Sequence, residues 1–154
     1  MMYPPTLLTW VLIVFGLITC LPLLVAQLVM LVQPKGQKAR DLLIGKGEAW
    51  RDDTHYQSAY GLAMADWIIF FPLFVLGIIG MLLSRHWGYV LFAVSGAIQL
   101  YINTFLWFFE RAYVYPSIGP LKYYTYFWGN FMYWGAAALL YGIFRLSGTA
   151  FPVL

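Results

Sequence analysis

Ala63-Met64-Ala65-Asp66-Trp67-Ile68-Ile69-Phe70-Phe71-Pro72 sets one carboxylate inside an otherwise apolar helical stretch. A charge in hydrocarbon is costly and is retained for binding, proton transfer or a buried pairing partner. The stretch belongs to a chain of 154 residues that is 62% hydrophobic and 10% charged, with a mean hydropathy of +0.74. So little polar surface excludes a water-soluble domain and predicts an integral membrane protein.

Working outward from Asp66, four apolar runs are long enough to cross the hydrocarbon core, which takes roughly twenty helical residues. They cover about 6–33, 58–83, 87–109 and 121–146 of a single transmembrane domain, 1–154. Backbone polar groups in lipid must bond internally, and none of the runs alternates like a strand. The expected fold class is therefore all-α, an integral membrane four-helix bundle. The first run has no basic segment before it and reads as a retained span, not a signal peptide.

The connections carry most of the charge. Five of the nine Lys and Arg lie between Lys35 and Arg51, in the first loop, where Asp41-Leu42-Leu43-Ile44 suggests a turn in the interface and Trp50 an interfacial anchor. Ser84-Arg85-His86 makes a tight hairpin between the second and third runs, and the third loop runs from Glu110 to Pro120. The aromatic residues from Tyr123 to Trp128 read as an interfacial belt. Seven Lys and Arg in the first and third connections, against two elsewhere, place the large loop in the cytosol by the positive-inside rule.

Several chemistries are excluded. The net charge of +3 orients loops and is no nucleic-acid footprint. Cys20 is the one cysteine, and His55 and His86 have no second ligand nearby, so no metal site and no cofactor are expected.

Helix rise gives the depth of each polar side chain. Counting from the side of the first loop, Asp66 lies about 12 Å deep, Asn103 and Gln27 about 10 Å, and Asn130 about 13 Å. Each helix thus offers one hydrogen-bonding side chain to a common layer. Gln99 lies a turn deeper than Asn103, with Ser95 deeper again; Glu110 and Arg111 stand at the rim as an interfacial pair, and Trp134 shares a face with Asn130. Pro22 and Pro72 each free a backbone carbonyl near mid-span and widen the space between helices. The bland alternative is that Asn, Gln and Ser act only as packing glue between helices.

Gln99-Leu100-Tyr101-Ile102-Asn103 with Phe109-Glu110, then Tyr126-Phe127-Trp128 leading to Asn130 and Trp134, resembles the last two helices of the emopamil-binding protein family. Asp66 six residues before Pro72 is similar to the acidic second helix of the related sigma-two receptor. The resemblance, to the EXPERA superfamily, covers about 48–146. It implies a cavity open toward lipid that takes a sterol-like, isoprenoid or cationic amphiphilic ligand, and the endoplasmic reticulum in a eukaryotic cell. It also implies an isomerase or cyclase that protonates a double bond and shelters the cation beside an indole. By position Asp66, Glu110 and Asn130 would be catalytic, and Gln27, Gln99, Tyr101, Asn103 and Trp134 would contact substrate. The family's His and acidic residue on the first helix are replaced here by Leu21-Pro22-Leu23-Leu24-Val25-Ala26-Gln27, Asn103 stands in place of an Asp, and the Asn130 to Trp134 spacing is one longer. Family topology would put the termini in the cytosol, opposite to the charge count. The expected partners are a hydrophobic small molecule or lipid, with a homodimer open. A non-catalytic lipid-binding or trafficking protein and a small subunit of a membrane complex are the alternatives.

Overall fold

The computed structural model describes residues 3–114 and 121–151, with the side chains of 114 and 121–127 set aside. It is all-helical in its described elements: α1 (Leu7–Val32), α2 (Gln37–Leu43), α3 (Asp53–Ala65), α4 (Phe71–Leu82), α5 (His86–Phe109) and α6 (Leu121–Leu146). Two π-helical segments interrupt them, Asp66–Phe70 between α3 and α4, and Glu110–Val114 after α5. Among the described residues three helical stretches, Leu7–Val32, Asp53–Leu82 and His86–Tyr113, are long and apolar enough to cross a membrane. This is the make-up of an integral membrane protein. α6 is a further helix of 26 residues packed along α5.

The second stretch begins at Asp53 and not at Ser58. The Asp52 carboxylate accepts the His55 backbone N–H at 2.9 Å and caps the helix inside the charged loop. Thirty residues make a rod of about 45 Å, against about 30 Å of hydrocarbon, so its first turns stand in the interface.

The rod is not uniform. At Asp66–Phe70 the bonding shifts to i→i+5, with the Phe71 N–H reaching the Asp66 carbonyl, and Pro72 immediately follows. A π turn beside a proline is a recognised cause of a bend. α4 packs along α5, whereas α3 packs on α1 and has no comparable contact with α5. The helices are thus closed on the α4 side of Asp66 and parted on the α3 side. That parting is where the polar layer sits.

The closed half is held by small residues and aromatic rings. A Cβ on Gly96 would lie 2.6 Å from the Gly135 carbonyl oxygen and 2.8 Å from the Leu139 nitrogen, so the α5 and α6 backbones touch there. Gly96→Ala must push them apart, and a loss of about 1–3 kcal/mol is expected. Its measure is the denaturation midpoint of purified protein in micelles; an unchanged midpoint would show slack in this contact. Trp134 fills the centre, its ring edge-on to Phe74 at 5.4 Å and to Phe92 at 5.5 Å, and its Nε1–H donates to the Leu12 carbonyl at 2.9 Å. Gly16 of α1 makes room, since a Cβ there would lie 2.6 Å from Nε1 of Trp134. Beyond it the Tyr141 hydroxyl joins the Thr6 and Thr9 hydroxyls, and Arg145 donates to the Pro4 carbonyl, tying the start of the chain to the end of α6.

Candidate functional site

A cavity of about 390 Å³ fills the parted half, walled by α1, α2, α3, α5 and α6. Pro22 lies in its wall together with Ile18, whose carbonyl is left without an i+4 donor by the proline ring. Leu42, Leu43 and Ile44, at the end of α2, line it as well. The turn expected at Asp41–Ile44 falls at the end of α2, and three of its four residues line the cavity.

Asp66 is 8% exposed and its Oδ2 accepts the Gln27 Nε2–H at 2.6 Å. The Gln27 Oε1 is buried without a partner. Rotating that amide by half a turn would present Oε1 to the carboxyl, which a protonated Asp66 could donate to. The pair therefore suits both states of the acid, and Gln27 can follow the proton. Asn103, at the same depth, turns instead to its own helix and donates through Nδ2 to the Gln99 Oε1 at 2.7 Å and the Gln99 carbonyl at 2.8 Å. Both Gln99 and Asn103 nevertheless line the cavity.

Glu110 also lines it, from the end of the α5 rod, and opens the second π segment. Both carboxylates inside the apolar stretches thus mark π turns, which occur often at functional sites. The expected Glu110–Arg111 pair does not form: the one ion pair among the described residues is Arg51–Asp52 at 3.9 Å. Consecutive helical residues point about 100° apart, and Arg111 is exposed while Glu110 faces inward.

Of the eight side chains expected at the site, six share this cavity: Gln27, Asp66, Gln99, Asn103, Glu110 and Asn130. Two stand elsewhere. Tyr101 is 76% exposed and borders a separate apolar groove on the outside of α5. Trp134 is wholly buried in the closed half, and the indoles at the cavity are those of Trp50 and Trp128. Ser95 donates to the Leu91 carbonyl of its own helix and is no part of the wall. The aromatic belt from Tyr123 to Phe127 and the loop residues Tyr115 to Pro120 lie outside the described side chains.

His55 is the side chain that the sequence did not single out for this site. It is 4% exposed and lines the cavity in one stripe with Ser58, Ala59, Leu62 and Asp66. The spacing of that stripe is the i, i+3, i+4, i+7, i+11 pattern of one helix face. It was available as a signal once the helix was known to start at Asp53.

Above His55 a clasp joins α3 to the end of the α5 rod. The Tyr113 hydroxyl donates to Asp52 Oδ2, and the Arg51 guanidinium lies 4.5 Å from the Tyr113 ring centre. The Tyr113 hydroxyl, then the His55 backbone N–H, hold the Asp52 carboxyl below the usual carboxylate range. A depressed native value stabilises the fold above the unfolded pKa, and that contribution is lost as pH falls through the native one. Tyr113→Phe is therefore expected to flatten the acid side of the stability profile between about pH 5 and pH 3. Thermal midpoints across that range check it; an unchanged slope would show that the clasp does not hold the carboxylate.

The chain matches no known protein family, no curated protein and no solved structure. Among the described residues no cluster of three His, Cys, Asp or Glu could hold a metal ion.

Proposed function

We propose that the protein is a membrane-embedded enzyme of isomerase or cyclase type, working by acid–base chemistry on a sterol-like or isoprenoid lipid. In this reading α6 is the fourth span of a four-helix membrane bundle of EXPERA type, placed in the endoplasmic reticulum if the cell is eukaryotic. The observation that carries it is that both carboxyls of the apolar stretches, Asp66 and Glu110, open onto one cavity with mostly apolar walls. Moving a double bond in a lipid requires a proton delivered to one carbon and another removed nearby, so two acid–base groups in a site shielded from water suit the reaction. Asp66, with Gln27 able to follow its proton, is the donor. Glu110, which lines the same cavity, is the second group, in place of the partner missing from the first helix. Trp128 offers the cavity an indole face, which favours a neighbouring cation.

Protonation from solvent-exchanged carboxyls leaves a mark. Incubation of reconstituted protein with an unsaturated sterol in deuterated water is expected to put deuterium on a ring carbon, read by mass spectrometry. A library of sterol and isoprenoid alkenes recovered without deuterium and without rearrangement would overturn the enzymatic reading. The second reading is a non-catalytic lipid-binding or trafficking protein. It is favoured by the tight Gln27–Asp66 hydrogen bond, which suits a fixed polar anchor, and it predicts saturable lipid binding with no altered product.

A further inference from the structure

The stripe on α3 has two ends. His55 and Asp66 are eleven residues apart, about three helical turns, so they lie on one face about 16 Å from each other. Both reach the same cavity. What each can do there differs, and the difference follows from their partners.

The His55 Nδ1 accepts the Arg51 backbone N–H at 3.3 Å. A ring nitrogen that accepts such a bond carries no proton itself, so the proton of the neutral imidazole sits on Nε2. His55 is buried, its ring is held edge-on by Trp50 at 5.0 Å, and among the described residues nothing accepts from Nε2. That N–H belongs to a residue of the cavity wall and is open to an acceptor that enters the cavity. The tautomer makes His55 a hydrogen-bond donor at the rim and unsuits it to be a base. Thr19, Gln27, Ser58 and Asn103 add further polar edges to the wall, and among the described residues no Lys or Arg lines the cavity. The rim is thus not built for a phosphate or a free carboxylate, which a cation would meet.

We propose that His55 selects the head of the ligand: the cavity takes an elongated lipid bearing a neutral oxygen acceptor, a hydroxyl or a ketone, which receives the Nε2–H of His55 while the hydrocarbon body runs inward along α3 to Asp66. His55 is a specificity residue and takes no part in proton transfer. The proposal rests on the lipid-cavity reading above and adds to it the chemistry and orientation of the ligand: oxygen outermost, hydrocarbon running inward toward Asp66.

Three fluorescent probes of one conjugated sterol skeleton test it, carrying a 3-hydroxyl, a 3-ketone or no oxygen at that carbon. Binding to the full chain in lipid nanodiscs is read by energy transfer from tryptophan. The native protein is expected to bind the hydroxyl and ketone probes about tenfold more tightly than the deoxy probe, the worth of one hydrogen bond of about 1.4 kcal/mol. His55→Phe keeps the ring packing against Trp50 and removes the donor. It should bind the deoxy probe as the native protein does and lose the preference to within about twofold. His55→Gln restores an N–H near the Nε2 position and should recover most of it. Equal affinity of the native protein for all three probes would overturn the proposal while leaving the lipid cavity standing. A preference that survives in His55→Phe would do the same. Absence of saturable binding by any probe would overturn the lipid-cavity reading and this inference with it.

Discussion

Asp66→Asn is expected to lower turnover by about 10²–10⁴, the range that a positioned general acid or base contributes, while the protein folds and binds lipid as before. The substitution is nearly isosteric, and its new amide can still accept the Gln27 Nε2–H that now reaches Asp66 at 2.6 Å. What disappears is the transferable proton. Measured together, product formation and probe affinity separate the two readings of the cavity. A variant that binds but does not turn over puts Asp66 in the chemistry. A variant that turns over normally removes Asp66 from it, and one that neither binds nor turns over makes the carboxyl an anchor for the ligand. Gln27→Leu supplies the contrast, because it leaves the acid in place and deletes the group that follows its proton. Its turnover should fall by less, with a stability cost of about 1–3 kcal/mol for a buried carboxyl left without its partner.

How far this site could be read from the sequence depended on which coordinate a residue's role required. Depth along a helix follows from the rise per residue, and by that measure Gln27, Asp66, Asn103 and Asn130 fall in one layer; all four line one cavity, and Glu110, placed at the rim, lines it too. Direction around the axis and the position of bends do not follow from rise. Tyr101 stands two residues from Gln99 and two from Asn103, which at about 100° per residue turns it to the other face. Asn103 has the right depth, yet its amide is engaged by Gln99 one turn away, a local contact stronger in reach than any across the cavity. Hydropathy starts the second span near Ser58 and leaves His55 among the charges of the first loop. The Asp52 cap, a local hydrogen bond, begins the helix five residues earlier. The bend itself was half visible: Pro72 announced a break, but the π turn that begins at Asp66 and parts α3 from α5 has no residue signature of its own.

Trp134→Ala is expected to cost about 2 kcal/mol or more in stability and to leave the chemistry of the remaining folded protein within about threefold of native. In soluble cores a Trp→Ala change costs about 3–5 kcal/mol, part for transfer out of water and part for the void. Between membrane helices the transfer part fades, because lipid tails are as apolar as the core, and the lost packing remains. That packing is extensive here: Phe70, Phe74 and Phe92 all meet the indole edge-on, and its Nε1–H ties α6 to the Leu12 carbonyl of α1. The residue's place explains why sharing a face with Asn130 does not bring it to the cavity. It lies one turn past Asn130 on α6, level with the rings of the closed half, where α4 and not α3 is the neighbour of α5. An indole there packs the closed half and does not line the cavity. Trp134→Phe sharpens the distinction, since it retains an aromatic face but loses the hydrogen bond to Leu12. A cation-facing role would show as a rate loss at native stability, with Trp128→Leu harmless. A core role shows as a lowered denaturation midpoint for Trp134→Phe at native rate, with the rate loss transferred to Trp128→Leu at the cavity wall.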